Sequence, residues 1–184
     1  MNKLATSTLA LCALLAVPAV HAEQHFHVKA AVSNGGTLHI SDSQGTRLDS
    51  TSKPYPLSVY AGYDFNQDYA IELGYTDFGT YKFGSPATVD MRTIHVAARE
   101  SFAIGASFSV FGKLGVARHT VGLSNFGPAS GLSNKVHPLA GVGAEYRLMP
   151  QLSLSLELVD YGTVKSEHGR IKSRQLEAGV SYHF

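Results

Sequence analysis

The sequence predicts an all-β protein, an eight-stranded antiparallel up-and-down transmembrane β-barrel with short periplasmic turns and longer extracellular loops. Three observations predict it. Apolar and polar residues alternate at period two in eight separate segments. The connections between them alternate between short turns and long polar loops. No apolar run after residue 22 has the length of a membrane-spanning helix. A barrel strand needs only ~9–11 residues with alternate positions apolar, a pattern that averaging over a window hides.

The chain opens on Met1-Asn2-Lys3, then an apolar run from Leu4 to Val17 broken only by Thr6, Ser7 and Thr8. Pro18 precedes Val20-His21-Ala22, a small-x-small ending. This is the pattern of a secretory signal peptide over residues 1–22, with cleavage expected before Glu23 and the barrel domain over 23–184. The run, roughly 14 residues, is too short for an anchor that needs ~20. Cys12 is the only cysteine, and Leu11 before it does not suit a lipidation site. The exported portion therefore has no disulfide to stabilise it. A formal charge of +1 gives no reason to expect nucleic acid as a partner.

The strands are placed at about 25–33, 56–65, 69–78, 92–102, 107–118, 137–148, 151–160 and 172–184. In the third, Tyr69, Ile71, Leu73 and Tyr75 oppose Ala70, Glu72, Gly74 and Thr76. In the sixth, Ala140, Val142, Ala144, Tyr146 and Leu148 oppose Gly141, Gly143, Glu145 and Arg147. The seventh sets Leu152, Leu154, Leu156 and Leu158 against Ser153, Ser155 and Glu157. The last sets Leu176, Ala178, Val180, Tyr182 and Phe184 against Gln175, Glu177, Gly179, Ser181 and His183. Short turns fall around Asn66-Gln67, Gly105 and Pro150, and the long connections include Ser33–Pro54 and Thr120–Val136.

A soluble carrier barrel would alternate as well, with its apolar face inside. Three features favour lipid outside instead. The polar face is rich in very small residues (Gly62, Gly74, Ala97, Gly115, Ala117, Gly141, Gly143, Gly179), which suit a narrow crowded interior. Aromatics on the apolar face gather at the short-turn end: Phe65, Tyr69, Phe102, Phe108, Tyr146, Tyr182 and Phe184. A membrane-interface girdle predicts that clustering. Charges on the small-residue face balance, with Lys29, Arg99, Lys113 and Arg147 against Glu72, Glu145, Glu157 and Glu177. Such charges can be buried only as pairs, so an interior network is expected.

The segments Tyr69–Thr76, Val110–Gly115, His137–Tyr146, Gln151–Leu158 and Leu176–Phe184, in that order with Pro138 and Pro150, resemble the OmpA transmembrane domain family. The resemblance implies a barrel in the outer membrane of a Gram-negative bacterium, with an interior network of Glu72, Arg99, Lys113, Glu145 and Glu157; a monomer is the expectation, which the sequence alone does not decide. Ser155 stands where the family often carries an arginine, which leaves Lys29 or Arg147 to compensate. The periplasmic peptidoglycan-binding domain of many members is absent from these residues, so no tether to the cell wall is expected. The ending Glu177-Ala-Gly179-Val-Ser-Tyr182-His-Phe184 looks like the terminal motif read by the barrel-assembly machinery, which with periplasmic chaperones is an expected partner during biogenesis.

Chemistry is sparse. Lipid A hydrolysis needs a serine beside a histidine and an acid. His39 and Ser41 have that spacing in the first long loop, and His119 and Ser124 are separated by a glycine-containing loop start and share no strand, so both pairs read as loop polar residues. His25, His27 and His183 meet where the first and last strands close, and three imidazoles can hold zinc or copper, although no carboxylate partner is evident. Lys165, His168, Arg170, Lys172 and Arg174 are placed in and beside the fourth loop at the extracellular edge, where cations would face lipopolysaccharide phosphates; a plain solvated loop is the equal alternative. The expectation is a structural or surface-interaction barrel without cofactor or catalysis, contacting lipids, lipopolysaccharide and an unidentified host-surface ligand. The alternative is a low-conductance channel gated by interior ion pairs.

Overall fold

Strands with one small-residue face and one branched or aromatic face can curl until the small faces meet, and this chain does so. The computed structural model describes residues 25–34, 39–41, 47–52, 54–82, 87–125, 131–166 and 169–184. The expected leader, 1–22, lies outside the described residues. The strands are β1 (Phe26–Ser33), β2 (His39–Ser41), β3 (Arg47–Asp49), β4 (Leu57–Asp64), β5 (Tyr69–Lys82), β6 (Thr88–Ala103), β7 (Phe108–Ser124), β8 (Gly131–Met149), β9 (Leu152–Ser166) and β10 (Gly169–His183). Eight of them close in the order β1-β10-β9-β8-β7-β6-β5-β4, all antiparallel. The seam pairs β1 with β10 from His27↔His183 to Ser33↔Glu177. In the first long connection β2 and β3 form a separate small hairpin.

Burial alternates with the sequence pattern, as in β5, where Glu72, Gly74 and Thr76 are buried while Ile71, Leu73 and Tyr75 are exposed. The outer surface is an apolar band that includes Leu73, Ile94, Leu114, Val142, Leu156 and Val180. Water would penalise such a band, whereas lipid tails would not. Below it lie Phe26, Tyr63, Phe65, Tyr69, Phe102, Phe108, Tyr146 and Tyr182, all exposed at the short-turn end. Edge-to-face contacts join Phe26 to Tyr63, Tyr63 to Phe65 and Tyr182 to Phe184, with centroids 5.0–5.3 Å apart. Two of the tight turns close locally. Asn66 Oδ1 accepts from the amides of Asp68 and Tyr69 at 2.8 Å, and Ile104 N donates to Phe108 O at 2.9 Å.

Strand ends at the short-turn side match the sequence expectation, whereas at the other end β5 to β10 all run further than expected. β7 reaches Ser124 rather than about 118, and β8 begins at Gly131 rather than about 137. The sense of the period reverses there, with polar residues such as Thr80, Arg92 and Arg118 outside and apolar ones such as Tyr81, Val89, Met91 and Val121 inside, while the backbone ladder continues. Two of these extensions pass through one motif. In Asp77-Phe78-Gly79 and Asp160-Tyr161-Gly162 the glycine has positive φ (75° and 85°), and the aspartate Oδ1 accepts from the glycine amide at 2.8 and 2.9 Å. The ladder slips by a bulge at each. Phe78 and Tyr161 are the last inward residues as each bulge begins, in phase with Thr76 and Val159, and they are fully buried and meet edge to face at 5.6 Å.

Candidate functional site

Large side chains fill the lumen because the residue opposite each on the next strand is small. His27 faces Gly62, His95 faces Gly74, Lys113 faces Gly141 and Phe111 faces Gly143. A Cβ on any of these glycines would overlap the facing ring or chain. The space so created holds a continuous ion-pair network. Arg99 Nη2 donates to Glu145 Oε2 at 2.7 Å, and Arg99 Nη1 lies 3.4 Å from Glu72 Oε1. Lys113 Nζ stands 2.5 Å from Glu157 Oε1 and 3.7 Å from Glu72 Oε2. Lys29 Nζ donates to Glu157 Oε2 at 3.0 Å, so Lys29 supplies the charge absent at Ser155. All six are buried. Lys29 and Lys113 also lie over the Tyr60 ring at 3.8 and 4.7 Å, and Arg99 lies over Phe111 at 4.0 Å.

Two residues expected in that network take other places. Arg147 is exposed at the short-turn mouth. It is two positions past Glu145 on the inward face, beside the bulge between Arg147 and Met149, where the strand has already left the lumen. Glu177 is buried but accepts hydrogen bonds from Tyr60 Oη at 2.5 Å and Tyr161 Oη at 2.7 Å. The expected balance of four against four thus becomes three cations against three carboxylates, with two phenols answering the fourth. No spacing in the sequence announces that substitution, because Tyr60 and Tyr161 come from strands 101 residues apart.

Toward the long loops the lumen turns apolar, with Phe78, Tyr81, Val89, Met91, Val121, Leu139, Val159 and Tyr161 buried together. His119 lies within this end. Its Nδ1 pairs with Thr93 Oγ1 at 2.6 Å and its Nε2 with the Tyr161 carbonyl at 2.8 Å. The sequence expectation that His119 and Ser124 share no strand is therefore corrected: both lie on β7, which extends past the lipid, and His119 faces inward. The side chains of His39 and Ser41 lie outside the described residues.

At the periplasmic mouth, His27 and His183 are register partners across the seam, with rings 5.3 Å apart. His25 does not join them; its Nδ1 pairs with the backbone carbonyl of Asp64 at 3.1 Å. The Asp64 carboxylate instead stands between the other two, 3.0 Å from His27 Nδ1 and 3.7 Å from His183 Nδ1. Asp64 ends β4, which pairs with β1, and closure of β10 on β1 then brings His183 to it. Beside it opens a vestibule of about 520 Å³ lined by His25, Asp64, Arg99, Glu145, Arg147 and His183 among others.

At the extracellular edge, Arg174 is exposed and donates to Asp160 Oδ2 at 2.9 Å, while the side chains of Lys165, His168, Arg170 and Lys172 lie outside the described residues. Two outward cations escaped the sequence reading. Arg92 is two residues past Ile94 on β6, and Arg118 two past Val116 on β7, as Arg174 is two from Leu176 on β10. Each stands on the loop side of an outward apolar residue, two positions away, and that position was the available signal.

Residues 22–184 match the OmpA-like transmembrane domain. The chain belongs to that family. It is 30% identical over 156 residues to outer membrane protein P5 of Haemophilus influenzae, covering 71% of this chain and 44% of that protein, so it spans less than half of that relative's length. Among solved structures it is similar to Neisserial surface protein A, with a TM-score of 0.63, 18% identity and coverage of 86% of this chain and 97% of that one. It is also similar to Ail, the attachment invasion locus protein of Yersinia pestis, solved with the heparin analogue sucrose octasulfate. The TM-score there is 0.57, with 17% identity and coverage of 87% and 99%. These two likenesses establish the fold. This member of the OmpA-like family is an outer-membrane β-barrel protein of a Gram-negative bacterium.

Proposed function

We propose that this barrel has a structural and surface-interaction role, exerted through its extracellular rim and directed at the anionic groups of lipopolysaccharide. The observation that carries the reading is the trio Arg92, Arg118 and Arg174 at the upper edge of the apolar band. Arg92 and Arg174 keep 63% and 54% of their side chains exposed even while lying near Asp77 and Asp160. A guanidinium has five donors, so one carboxylate leaves several for a phosphate oxygen. The heparin analogue bound to Ail is a dense polyanion on a similar barrel, which supports anionic sugars as the ligand chemistry. The filled lumen argues against the channel reading, since a solute would have to displace both the Lys113–Glu157 pair and the Phe78–Tyr161 layer.

The test is to refold the protein and the variant Arg92→Ala/Arg118→Ala/Arg174→Ala into vesicles with and without lipopolysaccharide. The temperature at which the compact gel band is lost is then read. A ligand of the folded state raises that temperature. The wild type is expected to gain from lipopolysaccharide and the triple variant to gain less; equal gains would refute the rim as the contact.

A further inference from the structure

The geometry points to a binding site for a divalent transition metal of the zinc class at the periplasmic mouth, formed by His27 Nδ1, His183 Nδ1 and the carboxylate of Asp64, which would staple three adjacent strands across the barrel seam. One potential ligand atom from each residue lies within 4.8 Å of those of the others. The two histidine–carboxylate separations, 3.0 and 3.7 Å, bracket the roughly 3.3 Å edge of a tetrahedron whose metal–ligand bonds are ~2.0–2.1 Å.

What surrounds the rings fits the same reading. Each imidazole turns Nδ1 toward Asp64 and Nε2 toward a lumen glutamate. His27 Nε2 faces Glu72 Oε1 at 3.5 Å, and His183 Nε2 faces Glu145 Oε1 at 4.0 Å. A metal-bound histidine needs its other nitrogen to carry the proton, and a carboxylate behind it fixes that tautomer and strengthens the ligand. Both Nε2 atoms are buried and lack a hydrogen-bond partner within ordinary range. His25 pairs through Nδ1 with the Asp64 backbone carbonyl and stands outside the ligand set. Two imidazoles and one carboxylate favour zinc or copper over calcium or magnesium, which prefer oxygen. The fourth position would open to the vestibule and take water.

The three ligands sit on β4, β1 and β10; β1 and β4 pair as neighbours in the chain, and His183 joins them only when β10 closes on β1. A metal here would therefore bind the closed barrel and not the unfolded chain, and would resist opening of the seam.

The experiment uses untagged protein extracted in detergent from bacterial outer membranes, freed of metal with a chelator and titrated with zinc by calorimetry. A parallel titration with cobalt is read by visible absorption. One ion per chain is expected, with the intense visible bands of tetrahedral cobalt and a rise in the temperature at which the compact gel band is lost. Asp64→Asn and His183→Gln should each weaken zinc at least about tenfold while keeping the compact band. His25→Gln should leave the affinity within about twofold, because its ring is not among the three ligands. Absence of binding at millimolar zinc overturns the proposal. So does binding that survives both Asp64→Asn and His183→Gln, since the ion would then sit on other histidines. If either variant loses the compact band, Asp64→Glu, which keeps the charge, decides by whether cobalt still gives its bands.

Discussion

At Gly143 an added Cβ would stand 2.7 Å from the Leu156 carbonyl oxygen and still closer to the Phe111 ring. The backbone of β9 cannot yield without breaking the ladder that pairs Gly143 with Glu157, so the ring must move instead. Gly143→Ala is expected to cost about 1–3 kcal/mol, the usual range for overpacking a filled interior. Gly112 is one strand away and faces outward, with nothing within 4 Å of an added Cβ. Gly112→Ala should change stability by less than about 0.5 kcal/mol. Urea unfolding of both variants in lipid vesicles checks the pair; equal losses would mean that the interior is not packed as described.

At the scale of the strand, the same alternation that places charges inside forbids them outside. Leu156 on β9 is 52% exposed and flanked by Ala144 and Ala178 on the neighbouring strands. Leu156→Arg should cost about 2–4 kcal/mol near the bilayer midplane, because a guanidinium there has no partner and no water. Ser155 and Glu157, its chain neighbours, are buried on the polar side of the wall. Urea titration of folding into vesicles measures the loss, and a variant as stable as wild type would place that face somewhere other than lipid. The bulged motifs Asp77-Phe78-Gly79 and Asp160-Tyr161-Gly162 act at this scale too. In each, an aromatic ring completes the inward alternation, and in β5 the bulge then shifts the phase so that Tyr81 and not Thr80 faces inward as the strand continues.

For the molecule as a whole, two barriers cross the lumen in series: the charged network and the apolar layer above it. Lys113 serves both Glu72 and Glu157, so Lys113→Ala leaves Glu157 with Lys29 alone and Glu72 with Arg99 and His27. Removing one partner of a buried pair costs about 3–5 kcal/mol, and Lys113→Ala is expected to lose stability in that range. It should nevertheless conduct no steady current in planar bilayers, because Phe78 and Tyr161 still close the path. Current is expected only when Phe78→Ala and Tyr161→Ala are added. A conducting Lys113→Ala single variant would make the ion network the sole gate.

The sequence by itself determined the strands, their faces and the sense of the barrel, because lipid outside and a narrow interior impose a period of two that each strand carries locally. Leu152 to Leu158 against Ser153 to Glu157 needs no partner strand to be read. Most of the interior charges were legible for the same reason: an inward position is known from its neighbours in the chain. Only the tertiary structure decided who pairs with whom. Glu177 meets two tyrosines, Lys29 replaces the charge absent at Ser155, Arg147 leaves the network at the strand end, and Asp64 in place of His25 joins His27 and His183. Those pairings depend on the stagger with which the sheet closes and on which glycine faces which large side chain. Stagger is a relation between strands, and no single strand encodes it.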